Sequence, residues 1–483
     1  MKKIIPKILL ILIIALGLFL RLYKIDSPIA DWHSWRQSDT ASVTKNFVTE
    51  GFNPFYPKAL DMSIVSDINY PNLERNRFVE FPIYNIATYP FYQILGAEDK
   101  YSRLVSVLFS LGSIVFLYLI TKKYLGEKTA LLTSLVFAVL PYNVFYSRTT
   151  LPEPTFLFFA LGMVYFVDQF IWKNKFLWVA FLFTVIAFLI KPWAIFFAIP
   201  LAYSVYKKEG TLFKRKYFLF ALGALVPFIM WRLWILQRPE SIPASSWLMD
   251  GDSIRFRPAF FRWIISERIG REILGVTGTI LFFVGLIFRP KDGNYFLHIW
   301  ALSMFLYFSI FATGNVRHDY YQLVFVPIAA IFLVRGFMIL ISERFELIAR
   351  MWRIPIAILF IVLTIYLTNL EVKELYKVNN PVIVEAGKYA DKLLPKDAIV
   401  LAPYGGDTAF LYQINRYGWP IASFPIAQLV ENYGVNYYVS VNHDNQTNWV
   451  LRHFKTIENN PKFVIVDLTV LEKPFDPKDP EPN

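Results

Sequence analysis

Long apolar runs broken by short charged clusters set the pattern of this chain. Ile4 to Leu22, Ile114 to Ile120, Leu131 to Leu140, Phe156 to Phe166, Phe176 to Ile190 and Ile356 to Leu367 are typical. Repeated runs near the thickness of a hydrocarbon core predict a polytopic, all-α membrane protein. Period-two alternation is absent from them, so a transmembrane β-barrel is not expected. Candidate spans fall at 5–23, 103–121, 129–146, 155–172, 176–190, 192–206, 217–236, 273–288, 295–313, 321–341 and 354–370. That makes about eleven spans near the required length. Phe81 to Gly96 is a further apolar stretch, short and interrupted by Pro82, Asn85, Thr88, Pro90 and Gln93.

Loop charge decides how that last stretch is read. If it does not cross, the basic residues fall on alternate loops: Lys2/Lys3, Lys122/Lys123/Lys128, Lys173/Lys175, Lys207/Lys208/Lys214/Arg215/Lys216, Arg289/Lys291 and Arg344/Arg350/Arg353. All then share one side, which the positive-inside rule makes cytoplasmic. If it crosses, every later loop inverts and the rule fails. Phe81 to Gly96 is therefore expected to be an amphipathic helix lying on the outer face. The outer side then holds Lys24 to Ser102, Ser147 to Pro154, the Lys191-Pro192 turn, Gln237 to Glu272, Gly314 to Tyr320 and everything after Leu370.

Composition adds three constraints. Hydrophobic residues make up 55% of the 483 positions, above the level of a soluble globular chain. The net charge of +12 does not point to nucleic acid, because the cations cluster at the ends of apolar runs. The absence of cysteine excludes disulfides, thiolate nucleophiles and cysteine metal sites. Near the N-terminus, Leu20-Arg21-Leu22-Tyr23-Lys24 follows the first apolar run with no small-residue cleavage site, so an uncleaved first helix is expected.

Two domains follow: a membrane domain over 1–370 and a small extracytoplasmic α/β domain over 371–483. The second carries expected helices at Val382–Leu394 and Ile426–Tyr433 and expected strands at Ala398–Leu401, Tyr437–Val441 and Phe463–Leu468. Its Pro- and charge-rich tail, 473–483, is expected to be disordered. Asp407 and Arg416 in this domain read as solvated surface charges, with sugar binding as the rival role.

The unusual polar residues converge on the outer face. Asp31-Trp32-His33-Ser34-Trp35-Arg36-Gln37-Ser38-Asp39-Thr40 crowds two carboxylates, an imidazole, a guanidinium and two indoles just beyond the first span. Ionisable groups so placed are functional candidates by default. Asp39 reads either as the N-cap of a helix from Ala41 to Glu50 closed by Gly51, or as a reactive carboxylate facing a cleft. Glu80 and Glu153 read as first-turn helix charges or as site carboxylates. Arg148, Lys191 and the Arg317-His318-Asp319-Tyr320-Tyr321 cluster lie where the charge rule disfavours cations. Each reads as snorkelling to lipid phosphate or as an anion ligand. Carboxylates suit general-base or metal chemistry, and Arg and Lys suit a phosphate carried by a lipid. Trp32, Trp35, Tyr84, Tyr89 and Trp193 suit an interfacial belt or sugar faces. Neither a Walker loop nor a GxGxxG loop is present.

Here the sequence resembles the GT-C membrane glycosyltransferases, in the branch of the protein O-mannosyltransferases and the bacterial aminoarabinose transferase. The resemblance covers roughly residues 1–370. It rests on His33 to Ala41, Glu80-Phe81-Pro82, Arg148 to Glu153, and His318-Asp319-Tyr320-Tyr321 leading into Pro327. Relatives often carry Asp-Glu where this chain has Asp39-Thr40, and Lys-Pro or His-Pro where it has Phe81-Pro82. The oligosaccharyltransferase signature Trp-Trp-Asp-Tyr-Gly is absent.

The resemblance implies an inverting transfer of a sugar from a polyprenyl-phosphate donor to a hydroxyl of a lipid, glycan or protein acceptor. It implies Asp39 as the base that activates that hydroxyl. Arg148, Lys191 and Arg317 would hold the leaving phosphate, with Asp31, His33, Arg36, Glu80, Glu153, His318 and Tyr320 in support. A divalent metal at Glu80 stays open. The implied location is the cytoplasmic membrane, with the N-terminus inside and the C-terminal domain outside. The rival reading is a transporter or flippase for a lipid-linked or small polar substrate. Orientation is directly testable. Alkaline phosphatase fused after Asn483 is expected to be active in intact cells, and green fluorescent protein at the same point dark; the reverse pair inverts the orientation.

Overall fold

The computed structural model describes residues 4–64, 70–241, 246–251, 253–290, 292–343, 345, 348–475 and 480–482. Lys2, Lys3, Lys291 and Arg344 of the charge pattern lie outside the described residues. The chain is mostly helical, with a small C-terminal sheet. In chain order the helices begin with α1 (Ile5–Arg21), α2 (Ser34–Thr49), α3 (Ile83–Leu95), α4 (Asp99–Leu125), α5 (Glu127–Val139), α6 (Pro141–Tyr146), α7 (Glu153–Lys173), α8 (Leu177–Ile190), α9 (Ala194–Glu209) and α10 (Arg215–Ile235). Several start on a proline in the first turn, where its fixed φ fits the helix and its missing N–H costs nothing: Pro6, Pro141, Pro154 and Pro327.

Among the described residues, five helical stretches are long and apolar enough to cross a membrane. They are Asp99–Leu125, Glu153–Lys173, Arg215–Ile235, Asp319–Leu340 and the stretch opening at Arg350. Pro258–Ile273 and Gly275–Ile287, bent by 112°, make a sixth if counted as one broken span. This is a multi-pass membrane protein. Other expected spans are shorter helices: α1 has 17 residues, α8 has 14 and Phe296–Ile310 has 15. The run at 129–146 is broken at Leu140, because Pro141 cannot donate to the α5 ladder and starts α6 instead.

The chain divides into two compact units. The first comprises Met1–Ile25, Arg103–Trp234 and Ala244–Tyr376. Its tightest packing is between Gly275–Ile287 and Val326–Leu340. A Cβ on Gly285 would stand 2.0 Å from the Phe332 carbonyl oxygen, and one on Gly336 1.8 Å from that of Leu281. Only glycine lets the backbones come this close, and close backbones replace the hydrophobic effect as the glue inside lipid. Arg335, beside Gly336, donates to the carbonyls of Gly285 and Phe288, ending the neighbouring helix. Arg21 is fully buried and ties four helices together. Its Nε donates to Ser110 Oγ (3.0 Å) and Ser147 Oγ (2.7 Å), and its Nη1 to the carbonyls of Gly17 and Ala138.

The second unit comprises Asp26–Ser102, Ile235–Pro243 and Lys377–Asn483. Its five-stranded sheet contains β1 (Val400–Leu401), β2 (Gly418–Trp419), β3 (Tyr437–Ser440), β4 (Phe454–Asn459) and β5 (Val464–Leu471), in the order β2-β1-β3-β5-β4. The first three strands are parallel, and β5 runs antiparallel to both its neighbours. Helices cover both faces. Pro381–Leu393 and Ala409–Ile414 pack through Ile383, Ala386, Phe410 and Leu411 on one side. Ile426–Tyr433 and Asn445–His453 pack through Ile426, Leu429, Trp449 and Val450 on the other. The segment after the first span joins this core: Ala30 lies in the first cluster, Met62 in the second, and Ile29, Ala41 and Leu60 pack with Tyr412.

The structure corrects one reading in this unit. Arg416 is not a surface charge. It is 1% exposed, its guanidinium pairs with Asp391 Oδ1 (2.7 Å), and it donates to the carbonyls of Leu394, Pro395 and Asn415. A loop needs donors for carbonyls that no strand or helix satisfies, and a planar five-donor group supplies them. The tail is anchored at two points: Phe475 stacks on Trp449 (5.4 Å, 12°), and Glu481 accepts the Ile426 N–H at 2.8 Å, capping a helix start. Positions 476–479 and 483 lie outside the described residues.

Replacing Arg416 by Met is expected to destabilise the unit by about 3 kcal/mol, because the carbonyls and Asp391 lose their partner. The check is the midpoint of thermal or denaturant unfolding of the full chain in detergent.

Candidate active site

Asp39 lies inside α2, one turn and a half from its start, and not at an N-cap as its sequence context suggested. The helix begins at Ser34, and its preceding residue is His33 in the left-handed region (φ 55°). The Ser38-Asp39-Thr40 cap signal is overridden because both side chains flanking the carboxylate bond elsewhere. Ser38 Oγ reaches the Trp35 carbonyl (2.9 Å) and Thr40 Oγ1 that of Arg36 (2.8 Å). Both are local back-bonds compatible with helix.

The Asp39 carboxylate is buried, and each oxygen is claimed by a different segment. Oδ2 pairs with Arg77 Nη2 at 2.6 Å, and Oδ1 accepts from Thr408 Oγ1 at 2.8 Å. Thr408 also lies 2.8 Å from Ser38 Oγ and 3.1 Å from the Trp35 carbonyl. Its neighbour Asp407 accepts from Ser34 Oγ (3.0 Å) and from the Ala409 N–H (2.7 Å). The loop 407–408 thus grips one face of α2. Loss of water around Asp407 raises its pKa, against the lowering by those two donors.

The other sequence candidates of this segment surround Asp39. Arg36, one turn earlier, forms a buried ion pair with Glu80. Asp31 is fully buried and accepts from Gln37 Nε2 (2.7 Å). His33 packs edge-on to Trp32, their rings 5.3 Å apart. On the far side α3 docks on α2 through Asn85, which donates to the Thr40 carbonyl (2.7 Å) and Thr44 Oγ1 (2.9 Å). Asp61 adds a second carboxylate that feels the charge of Asp39. Desolvation lifts it to about 6, while Ser63 and Arg77 pull it down.

The remaining candidates belong to the helical unit. Glu153, at the start of α7, is 1% exposed and lies 3.1 Å from Lys191 Nζ. Lys191 therefore does not snorkel; its ammonium also sits over the rings of Trp193 (4.7 Å) and Tyr321 (5.8 Å). Tyr321 packs on Tyr320 (4.8 Å) and His318 (5.4 Å), so these candidates form one contiguous cluster. Asp319 faces Arg268, and its carbonyl accepts from Tyr142. Arg317 is exposed at the end of Ala312–Arg317. Arg148 is wholly buried, donates to the Lys24 carbonyl (2.7 Å) and lies over the Tyr376 ring (4.6 Å).

Arg77, Thr408, Asp61 and Arg268 were missed by sequence reasoning. No local signal marks them; each gains its role from a contact across the chain. Glu80 pairs with Arg36 through Oε1, and no cluster of three or more acidic or imidazole ligands occurs among the described residues.

Residues 82–234 match the family model described as dolichyl-phosphate-mannose-protein mannosyltransferase. An uncharacterized protein of Aquifex aeolicus (strain VF5) is 35% identical over 79 residues, which are 16% of this chain; the match spans only 19% of that relative's length. Across 94% of this chain and 97% of the other, the fold is that of ArnT from Cupriavidus metallidurans bound to undecaprenyl phosphate, with TM-score 0.62 and 12% identity. The same protein in the apo state gives 0.63 and 14%. The apo oligosaccharyltransferase of Archaeoglobus fulgidus gives 0.57 and 11%, over 90% of this chain and 69% of that one. The architecture is the GT-C fold.

The raised Asp61 carboxyl has a thermodynamic consequence. Its folded pKa lies above its unfolded value, so the native state binds the extra proton and stability falls as pH rises from about 4 to about 6. Asp61→Asn, which keeps the acceptor for the Ser63 N–H, is expected to stabilise the chain above pH 7 by up to about 3 kcal/mol. Below pH 4 the two chains are expected to melt together. Equal melting curves at both pH values would refute the assignment.

Proposed function

We propose that this protein is a membrane glycosyltransferase that moves a sugar from a polyprenyl-phosphate donor to an acceptor hydroxyl on the outer face of the cytoplasmic membrane, with inversion. The observation that carries the reading is the Asp39 carboxylate. It is buried, clamped at both oxygens and placed on a rigid helix, as a general base must be to hold a nucleophile in line. The GT-C architecture supports the donor class, since ArnT of the same fold was crystallised with undecaprenyl phosphate.

In the proposed reaction Asp39 takes the proton of the acceptor hydroxyl as its oxygen attacks the anomeric carbon. The bond from that carbon to the phosphate oxygen breaks, and the polyprenyl phosphate leaves with the electron pair. Arg148, Lys191 and Arg317 serve the departing phosphate electrostatically. Lys191 is the strongest of these on geometry. Glu153 keeps its charge balanced until an anion arrives, and Trp193 and Tyr321 shield it from water. His318 and Tyr320 brace that cluster. Asp31, His33 and the Arg36–Glu80 pair hold the start of α2. The acceptor is a lipid, glycan or protein hydroxyl.

Incubating purified protein with a panel of undecaprenyl-phosphate sugars and lipid or glycan acceptors, with mass spectrometry of the products, tests the reading. One sugar is expected to transfer, and Asp39→Asn is expected to lower the rate by about 100-fold or more while the protein still inserts and melts normally. Transfer at the wild-type rate by Asp39→Asn would sink the assignment.

A further inference from the structure

A general base must be stable both before and after it takes its proton. Burial makes this hard, because a setting tuned to the carboxylate penalises the acid. Around Asp39 the two oxygens are treated differently. Oδ2 is held by the Arg77 guanidinium at 2.6 Å. Among the described residues, Oδ1 is met by a hydroxyl, that of Thr408, at 2.8 Å. The Thr408 hydroxyl has one proton and three oxygens in reach that can accept it: Asp39 Oδ1, the Trp35 carbonyl at 3.1 Å and Ser38 Oγ at 2.8 Å. A hydroxyl both donates and accepts, and its proton rotates to suit its partners.

We propose, resting on the assignment of Asp39 as general base, that Thr408 is a positioning residue which reverses its hydrogen bond as Asp39 is protonated, so that the proton lands on Oδ1. With Asp39 ionised, Thr408 donates to Oδ1, the strongest acceptor near it. When Asp39 takes the acceptor's proton, the new Oδ1–H donates to Thr408 Oγ1, and the Thr408 proton turns to the Trp35 carbonyl. One proton passes from the acceptor to Asp39, and Thr408 keeps its own. Arg77 holds the charge on Oδ2 and so excludes that oxygen as the site of protonation. The C-terminal domain thereby becomes part of the catalytic machinery through a single hydroxyl.

Other charges near Asp39 set the field in which this happens. Asp61 and Asp407 are carboxyls that interact with Asp39, Arg77 acts on Asp61, and His33 acts on Asp407. The Arg36–Glu80 pair lies one turn earlier on α2. None of these is hydrogen-bonded to Asp39 Oδ1, whose partner among the described residues is the Thr408 hydroxyl.

The test uses the full chain in lipid nanodiscs. Infrared difference spectra recorded across pH, with Asp39→Asn subtracted, isolate the carboxyl band of Asp39. Thr408→Val keeps the shape and removes the hydroxyl. With the hydroxyl gone, the protonated band is expected at the frequency of a less hydrogen-bonded acid, and the ionised band at that of a carboxylate lacking a donor. Thr408→Ser is expected to restore both. Thr408→Ala repeats the measurement should the valine variant fold poorly, with melting temperature as the control.

A protonated band at the wild-type frequency in Thr408→Val and Thr408→Ala overturns the proposal, as does a Thr408→Ser variant that fails to restore it. Unimpaired transfer by Asp39→Asn overturns the base assignment itself. That failure shows in activity and not in the infrared bands, so the two are told apart.

Discussion

A charge removed from water must find its partners inside the protein, and this constraint organises both units. Arg21 answers it with two serines and two carbonyls, and in doing so fixes α1 against α4, α5 and α6. Lys191 answers it with Glu153 and two aromatic faces. Arg416 answers it with Asp391 and a ring of carbonyls. Asp39 answers it with Arg77 and Thr408. Each buried charge is a point where distant segments meet, because the partners can come only from elsewhere in the chain. Hydrophobic burial sets the general shape of each unit, and these polar points set its register.

That distinction explains what could be read from the sequence. Apolar runs and loop charges announce themselves locally, and so do turn signals, so the helical class and most of the C-terminal elements were legible. Ile426–Tyr433 was placed to the residue, and Tyr437–Ser440 within one. The density of reactive groups from Asp31 to Thr40 was equally plain. Where the sequence misled, a local signal competed with a distant one. Ser38-Asp39-Thr40 is a good cap in isolation, yet the helix starts earlier, at Ser34, gripped by Asp407 and Thr408. Arg416 looks like a solvated charge until the carbonyls around it are counted. Arg77 carries no motif at all. Its role exists only because the segment after Tyr70 returns to α2.

Carboxylates with different surroundings divide the chemistry of the second unit. Glu80 is spent on Arg36, and Asp31 on Gln37. Asp61 sits in a drier setting that favours its acid form, whereas Asp39 is paired with the Arg77 guanidinium and the Thr408 hydroxyl. In the helical unit a buried cation, Lys191, is balanced by one carboxylate, Glu153, beside the rings of Trp193 and Tyr321.

The discontinuity of the second unit bears on how the molecule is made. Ala30, Ala41 and Leu60 share a core with residues near the C-terminus, and Asp39 meets Thr408, 369 positions later. At ordinary synthesis rates the ribosome needs between roughly twenty and seventy seconds to cover that distance. Throughout that interval α2 lacks the loop that grips it, and the carboxylate lacks one of its two clamps. Nascent chains therefore carry an incomplete site until Thr408 has emerged. A chain that stops before that residue leaves the Asp39 carboxylate with one clamp in place of two.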